Sequence, residues 1–235
     1  MKVIDAYWEK RNLGVDAVEF EVDETDTASV VEEILANEKQ YNVVKIPSRN
    51  TEVTQAVQQY GYRFAEVMNY FAISPGELKL NRIQQRIVDS IEILEMNNTD
   101  IDELHKEINN NLFDTDRIYC DPLFTKEQAA NRYWGWISDE QSRGGKLLKY
   151  VYKQDAIGFA GVSRNKTCYL SGLYPKAKRG GFGVIIPYII YQLVQESGKR
   201  EPLGIVSSTN VSVWRLYEQL GFALEHMEYI FIKHN

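Results

Sequence analysis

The sequence of 235 residues predicts an α/β protein in which a mixed central β-sheet is flanked by helices and preceded by a smaller α/β half-domain. Three observations lead to this prediction. Strand-like and helix-like segments alternate along the chain, one strand–helix–strand plan occurs twice, and a glycine-rich corner separates an apolar strand from an apolar helix. Because 44% of the residues are hydrophobic, the chain can bury a core.

Charge and cysteine content narrow the classes of function. A net charge of −6 disfavours a general nucleic-acid binder, which would need a basic face. Cys120 and Cys168 lack the spacing of a zinc site or a disulfide framework, and the three histidines stand apart from one another. The most apolar run, residues 184–194, is too short to cross a bilayer. We therefore expect a soluble, cytoplasmic protein that binds no metal, nucleic acid or membrane.

The first strand–helix–strand unit follows an amphipathic helix predicted over residues 29–39. The segment "YNVVKIPS" is typical of a strand, and Asn50 is a good helix cap directly after it. Val53 and Val57 have helical spacing, and Gly61 marks the end of that helix. The segment "VMNYFAI" then predicts a second strand.

The same plan returns 160 residues later in "GIVSSTNVSVWRLYEQLGFALEHMEYIFI", where Asn210 and Gly221 correspond to Asn50 and Gly61. This repetition favours an internal duplication over a chance recurrence of a common unit. Between the copies, "SPGELKLNR" at residues 74–82 has the composition of a linker. We expect an amino-terminal half-domain at residues 1–80 and a larger domain at residues 81–235.

The larger domain opens with a helix predicted over residues 99–112 and capped by Thr99 or Asp100. A hairpin is predicted from residues 147–152 and 157–163, with its turn at residues 154–156. The segment "TCYLSGLY" adds the next strand.

The corner "LYPKAKRGGFGVIIPYII" follows that strand and opens a helix. Main-chain N–H groups converge at such a point, glycine lets an oxyanion approach them closely, and Lys178 and Arg179 add positive charge. The two common nucleotide motifs, GxxxxGK[ST] and GxGxxG with its acidic partner, are missing. The corner therefore indicates a diphosphate site of another kind, with a tight packing turn as the alternative.

Lys178-x-x-Gly181-x-Gly183 resembles the [QR]xxGx[GA] pyrophosphate loop of the GCN5-related N-acetyltransferases (GNATs). Asn210 and "RLYEQLGF" resemble the last strand–helix unit of that family, and the likeness covers residues 85–235. Lys178 departs from the usual glutamine or arginine, and Pro187 removes one main-chain donor early in the helix. "YWEKRNLGVDAVEFEV" and residues 109–137 are similar to the dTDP-fucosamine acetyltransferase branch.

The resemblance implies a GNAT fold, a degenerate GNAT-like first half-domain and acetyl-CoA as acyl donor. It implies that Tyr217, two turns beyond Asn210 on one helix face, is the general acid that protonates the leaving thiolate. A core aromatic is the alternative for Tyr217. The residues expected to bind the donor are Leu173 and Tyr174 through their main chain, Lys178, Arg179, Gly180, Gly181, Phe182, Gly183, Val184 and Asn210.

The resemblance also implies a small amine as acceptor, such as a dTDP-linked amino sugar for a surface polysaccharide. Residues 109–137 supply the candidate acceptor-binding residues Arg117, Tyr119, Asp121 and Trp136. Each has an ordinary alternative: an exposed arginine, a turn at Asp121-Pro122, or a core tryptophan. A peptide amine or an antibiotic as acceptor, and a non-catalytic acyl-CoA-binding module, stay open. A free strand edge would allow a homodimer.

Overall fold

The computed structural model describes residues 1–198 and 201–235. The strands within these ranges are β1 (Lys2–Asp5), β2 (Ala17–Glu21), β3 (Tyr41–Pro47), β4 (Arg63–Ile73), β5 (Glu92–Glu95), β6 (Lys146–Tyr152), β7 (Asp155–Val162), β8 (Cys168–Leu173), β9 (Glu201–Ser207) and β10 (Ala223–His234). The α-helices are α1 (Tyr7–Leu13), α2 (Val30–Ala36), α3 (Thr51–Gln59), α4 (Arg82–Asp89), α5 (Asn98–Asn109), α6 (Arg117–Cys120), α7 (Lys126–Ser142), α8 (Ile185–Ser197) and α9 (Val211–Gln219).

The described strands form two sheets. The larger sheet is mixed and has the order β1-β2-β3-β10-β4-β9, and the smaller sheet is antiparallel with the order β5-β6-β7-β8. Within the larger sheet β2 and β3 are parallel, whereas the other neighbouring strands are antiparallel. The predicted α/β class with a mixed, helix-flanked sheet is confirmed.

The predicted repeat is visible in the element boundaries. The unit β3–α3–β4 starts its elements at residues 41, 51 and 63, and the unit β9–α9–β10 starts them at residues 201, 211 and 223. Both caps form as expected, because the side chain of Asn50 accepts from Val53 N at 3.1 Å and that of Asn210 from Val213 N at 3.4 Å. The two units have the same local structure at an offset of 160 residues.

The last strands of the two units are exchanged within the larger sheet. Strand β10 lies between β3 and β4, and β4 lies between β10 and β9. Each unit therefore completes its sheet with a strand from the other unit. The division of the chain near residue 80 stays a proposal about sequence organisation.

Two local predictions are corrected by the structure. Helix α5 is capped by Asn97 rather than Thr99 or Asp100, because Asn97 and Asp100 form a reciprocal capping box. The hairpin between β6 and β7 turns at Lys153 and Gln154, whose φ angles of 47° and 72° fit a two-residue turn.

Helices cover both faces of the larger sheet. Helices α2 and α3 pack on one face in the first unit, and α8 and α9 pack on that face in the second. Helices α1, α6 and α7 cover the opposite face, and α1 approaches α7 so closely that a Cβ atom on Gly135 would lie 2.3 Å from Asn12 Oδ1. No described helix has both the length and the apolar character needed to span a bilayer.

Candidate functional site

Strands β8 and β9 mark a break between the two sheets. In the described part of the chain β8 pairs with β7, and β9 pairs with β4, so that their facing edges lack a ladder partner. Tyr174 N donates to Ile157 O of β7 at 2.9 Å. Because main-chain groups alternate in direction along a strand, those of Leu173 point away from β7. The break therefore offers free main-chain groups to a ligand.

The first unit lacks such a break. Its strands β2 and β3, which α2 connects as α8 connects β8 and β9, form a parallel ladder from Ala17↔Tyr41 to Glu21↔Lys45. In the described part of the chain, β8 and β9 form no such ladder.

The glycine-rich corner lies at the end of β8, as predicted. A short 3₁₀ turn at Pro175–Ala177 is followed by Gly181 with φ of 75°, and a second turn, Phe182–Val184, leads directly into α8. Gly181 occupies the left-handed region that favours glycine. At Gly180 a Cβ atom would lie 2.4 Å from the Phe182 ring, so glycine there also serves packing.

The corner combines main-chain N–H groups at a helix start with nearby positive charge. The first N–H groups of a helix lack intrahelical acceptors, and here they follow Gly181 at the start of the turn that leads into α8. Lys178 and Arg179 are exposed beside them and form no ion pair with another described residue. The N–H groups of Lys178 and Gly180 instead donate to Pro175 O and Ala177 O within the turn.

Tyr217 lies on α9 and packs against β9 and β4. Its ring stacks on Phe222 at 4.8 Å and meets Phe71 edge-on at 5.4 Å. A Cβ atom on Gly204 would lie 2.4 Å from the Tyr217 ring, so the ring rests on the β9 main chain. Burial raises the pKa of the Tyr217 hydroxyl well above its ordinary value, so the group stays protonated at neutral pH. The corresponding residue of the first unit is Val57.

Arg117 and Trp136 meet in one cavity of about 310 Å³, which we call cavity A. Cavity A lies between α1, α6, α7 and the sheet, and it is lined by Tyr7, Trp8, Asn12, Glu19, Lys45, Arg117, Arg132, Trp136, Asp139 and Arg143. Trp136 is 40% exposed at its wall, whereas Trp134 stacks on His105 at 4.2 Å outside the lining.

Arg117 is not an exposed arginine without a partner, which was the alternative to its acceptor-binding role. Its side chain is buried and bonded to Glu19 Oε1 at 3.0 Å, and Lys45 Nζ lies 2.7 Å from the other carboxylate oxygen. Burial alone would raise the pKa of Glu19, but the two cations lower it to about 2. The floor of cavity A is therefore an ionised carboxylate held between two cations.

Asp121 and Tyr119 lie outside cavity A. Asp121 lines a second cavity of about 510 Å³, cavity B, together with Arg117, Cys120 and His234. Its carboxylate accepts from Leu123 N at 3.0 Å and lies 2.8 Å from His234 Nε2. His234 is the last residue of β10, and Asp121 holds a turn. Tyr119 lines neither cavity and instead has Lys126 Nζ 3.4 Å from its ring centroid.

Polar atoms without partners mark a region that sequence reasoning missed. Within the described residues, four of the six buried side-chain atoms with no hydrogen-bond partner cluster around Arg117: Glu9 Oε2, Tyr41 Oη, Glu66 Oε2 and Arg117 Nε. Native proteins rarely leave such atoms unsatisfied, so they indicate bound water or a ligand. The only signal in the sequence was a glutamate inside the apolar strand "RFAEVMNYFAI".

Within the described residues, no group of three or more histidine, cysteine, aspartate or glutamate side chains could hold a metal ion.

The sequence matches no protein-family model and no curated protein. Solved structures are similar in fold. A conserved protein of unknown function from Staphylococcus epidermidis is 11% identical over 94% of this chain and 85% of its own, with a TM-score of 0.61. A GCN5-related N-acetyltransferase from Sphaerobacter thermophilus is 15% identical over 99% and 75%, with a TM-score of 0.58. Another from Kribbella flavida is 12% identical over 93% and 81%, with a TM-score of 0.52. The chain has the GNAT fold.

Proposed function

We propose that this chain, which has the GNAT fold, is an N-acetyltransferase that moves an acetyl group from acetyl-CoA to the amine of a small molecule. One observation carries the proposal: the unpaired edges of β8 and β9 open directly below the corner at Gly181. The equivalent strands of the first unit are closed by a ladder, so the proposed donor site belongs to the second unit alone.

The main chain does most of the donor binding in this proposal. N–H groups that follow Gly181 at the start of the turn into α8 hold the diphosphate, and the side chains of Lys178 and Arg179 add charge at its rim. The N–H groups of Lys178 and Gly180 do not take part, because they donate within the preceding turn. The free main-chain groups of Leu173 bind the pantetheine amides and polarise the thioester carbonyl. Tyr174, which the sequence also suggested, is not free to do so, because its N–H donates to Ile157 O and its carbonyl accepts from Ala177 N. Asn210 orders the start of α9 beside the same strand edge.

Tyr217 supplies a proton in the proposed reaction. The amine attacks the thioester carbon directly, the carbon–sulfur bond breaks, and the thiolate takes the hydroxyl proton of Tyr217. The buried hydroxyl is protonated at neutral pH, which a proton donor requires.

Cavity A is the proposed acceptor site. Its lining contains the cations Lys45, Arg117, Arg132 and Arg143, each ion-paired to a glutamate, and Trp8, Trp136 and Tyr7 add flat surfaces. Phosphate and a stackable base fit such walls. These features support a nucleotide-linked amino sugar, such as a dTDP-linked deoxy sugar made in the cytoplasm for a surface polysaccharide.

Titration calorimetry with acetyl-CoA and a thiol-release assay test the proposal. The assay uses a dTDP-linked 4-amino sugar, a peptide amine and an aminoglycoside as acceptors. We expect micromolar binding, turnover with the nucleotide sugar, and a fall in kcat of about 10²-fold or more in Tyr217→Phe. The exposed Tyr60→Phe is the control and should keep wild-type kcat.

Turnover of another amine would change the proposed acceptor class and leave the proposal of an acetyltransferase intact. Binding of acetyl-CoA without turnover of any amine would indicate a binding module, and no binding would refute the proposal.

A further inference from the structure

Glu66 is an acidic residue on the strand that the first unit inserts beside β9. It is 3% exposed, although glutamate is rarely buried without an ion pair. Met68 pairs with Ser207 in the β4–β9 ladder, and side chains two residues apart share a face. Glu66, Met68 and Ser207 therefore lie on one face of the sheet, under α6 and α7.

Tyr217 lies on the other face of the same two strands. Phe71 of β4 pairs with Gly204 of β9, and both contact the Tyr217 ring. Tyr217 and Glu66 thus lie on opposite faces of the sheet, Tyr217 against Gly204 of β9 and Glu66 on β4, two residues beyond the last pair of the β4–β9 ladder. Acyl transfer needs an acid at the leaving thiolate and a base at the amine, because these two groups occupy different sides of the carbonyl carbon.

The carboxyl of Glu66 is near cations but not paired with one. Arg117 is bonded to Glu19 at 3.0 Å and Arg132 to Glu9 at 2.7 Å, and Glu66 Oε2 has no partner. The charged and titratable groups that face Glu66 are Asp116 at the N-cap of α6, Arg117 and Cys120 of α6, and Arg132 and Tyr133 of α7. Burial raises the pKa of Glu66 above its ordinary value, which brings the group closer to the range in which it can accept a proton from an ammonium.

We propose that Glu66 is the proton acceptor for the amine, acting through a water held at Oε2, so that the first unit completes the active site of the second. This inference rests on the proposed function. Asp121, the base candidate from the sequence, is less suited, because its carboxylate is already engaged by Leu123 N and His234.

The protons balance as follows in this scheme. The acceptor enters as an ammonium ion and loses one proton to Glu66, which leaves a neutral amine. The nitrogen forms its bond to the carbonyl carbon as the carbon–sulfur bond breaks, and the thiolate takes the proton of Tyr217. The second nitrogen proton restores Tyr217, and Glu66 releases its proton to solvent.

The test compares Glu66→Gln, Glu66→Asp and the control Glu228→Gln in the full chain. Glu228 lies on β10, and its carboxylate only accepts from the Tyr70 hydroxyl at 2.6 Å, an interaction that glutamine preserves. Acetyl-CoA affinity, thermal unfolding, and kcat against pH with the best acceptor are measured for each protein.

We expect Glu66→Gln to keep wild-type acetyl-CoA affinity, to lose about 10²- to 10⁴-fold in kcat, and to lose the acidic limb of the pH profile. Glu66→Asp keeps a carboxyl group but moves it one methylene closer to the main chain, so kcat should fall about tenfold or more while the acidic limb of the pH profile is kept. If Glu66→Gln does not fold, Glu66→Asp is used in its place. Glu228→Gln should match the wild type.

A Glu66 variant with wild-type kcat and an unchanged acidic limb of the pH profile would overturn the role of Glu66 without contradicting the proposed acetyltransferase activity. A wild type that neither binds acetyl-CoA nor releases thiol would overturn both.

Discussion

Replacing Gly181 by alanine should weaken acetyl-CoA binding much more than it destabilises the fold. Gly181 has φ of 75°, and its Cβ atom would meet nothing nearer than Ile87 Cδ1 at 3.6 Å. The change is therefore a conformational one, which costs about 1–2 kcal/mol for an L-residue in this region. A chain of this size should lose about 2–8 °C in Tm. If the strained turn misdirects one N–H donor to the diphosphate, about 1.5–3 kcal/mol of binding is lost, or roughly 10- to 100-fold in Kd.

A matched control lies at the other end of α8. Gly198 follows α8 with φ of 68°, and its Cβ atom would meet nothing within 4 Å. Gly198→Ala should show a similar drop in Tm by scanning calorimetry and an unchanged Kd by titration calorimetry. Equal Kd values for both variants, whether at wild-type level or both weakened, would refute the proposed diphosphate site.

Three further changes test the packing and electrostatics. Glu19→Gln should lose about 3 kcal/mol of unfolding free energy at pH 7 in urea titrations, because the pKa of Glu19 is lowered from 4.5 to about 2 in the folded protein. The greater stability of the wild type should be complete above pH 4.5 and vanish as the pH falls through 2. Gly204→Ala should displace the ring of Tyr217, lowering stability by about 1–3 kcal/mol and kcat with it, and a wild-type kcat would contradict the proposed acid. Asn50→Ala should lower the free energy of unfolding by about 2 kcal/mol and Asn210→Ala by about 1 kcal/mol in thermal unfolding, because Asn50 also donates to Asp23 O and Asp26 O. Only Asn210→Ala should weaken acetyl-CoA binding.

Local patterns in the sequence predicted the repeat because each copy contains its own signals. Asn50 and Asn210 cap their helices, and Gly61 and Gly221 end them with positive φ. The exchange of β4 and β10 was not predictable, since the same apolar alternation would allow each strand to pair within its own unit. Strand partners are chosen by long-range packing, which a single sequence does not display.

The glycine corner was predictable for the same reason, as its spacing and its position between strand and helix are local. Cavity A was only half predicted. Arg117 and Trp136 came from one suggestive segment, whereas Glu19, Lys45 and Arg132 lie on three elements that meet only in the folded chain. Their ion pairs join residues up to 123 positions apart, as Arg132 and Glu9 show.

The exchanged strands also bear on synthesis of the chain at the ribosome. Strand β4 ends at residue 73, and the strand that fits between it and β3 begins only at residue 223. At translation rates of about 5–20 residues per second, roughly 8–30 s pass before that neighbour emerges. During this interval the edges of β3 and β4 that will face β10 lack their native hydrogen-bond partner. We expect chaperones to bind the nascent amino-terminal half at this stage, and we expect strand exchange between nascent chains to be favoured there.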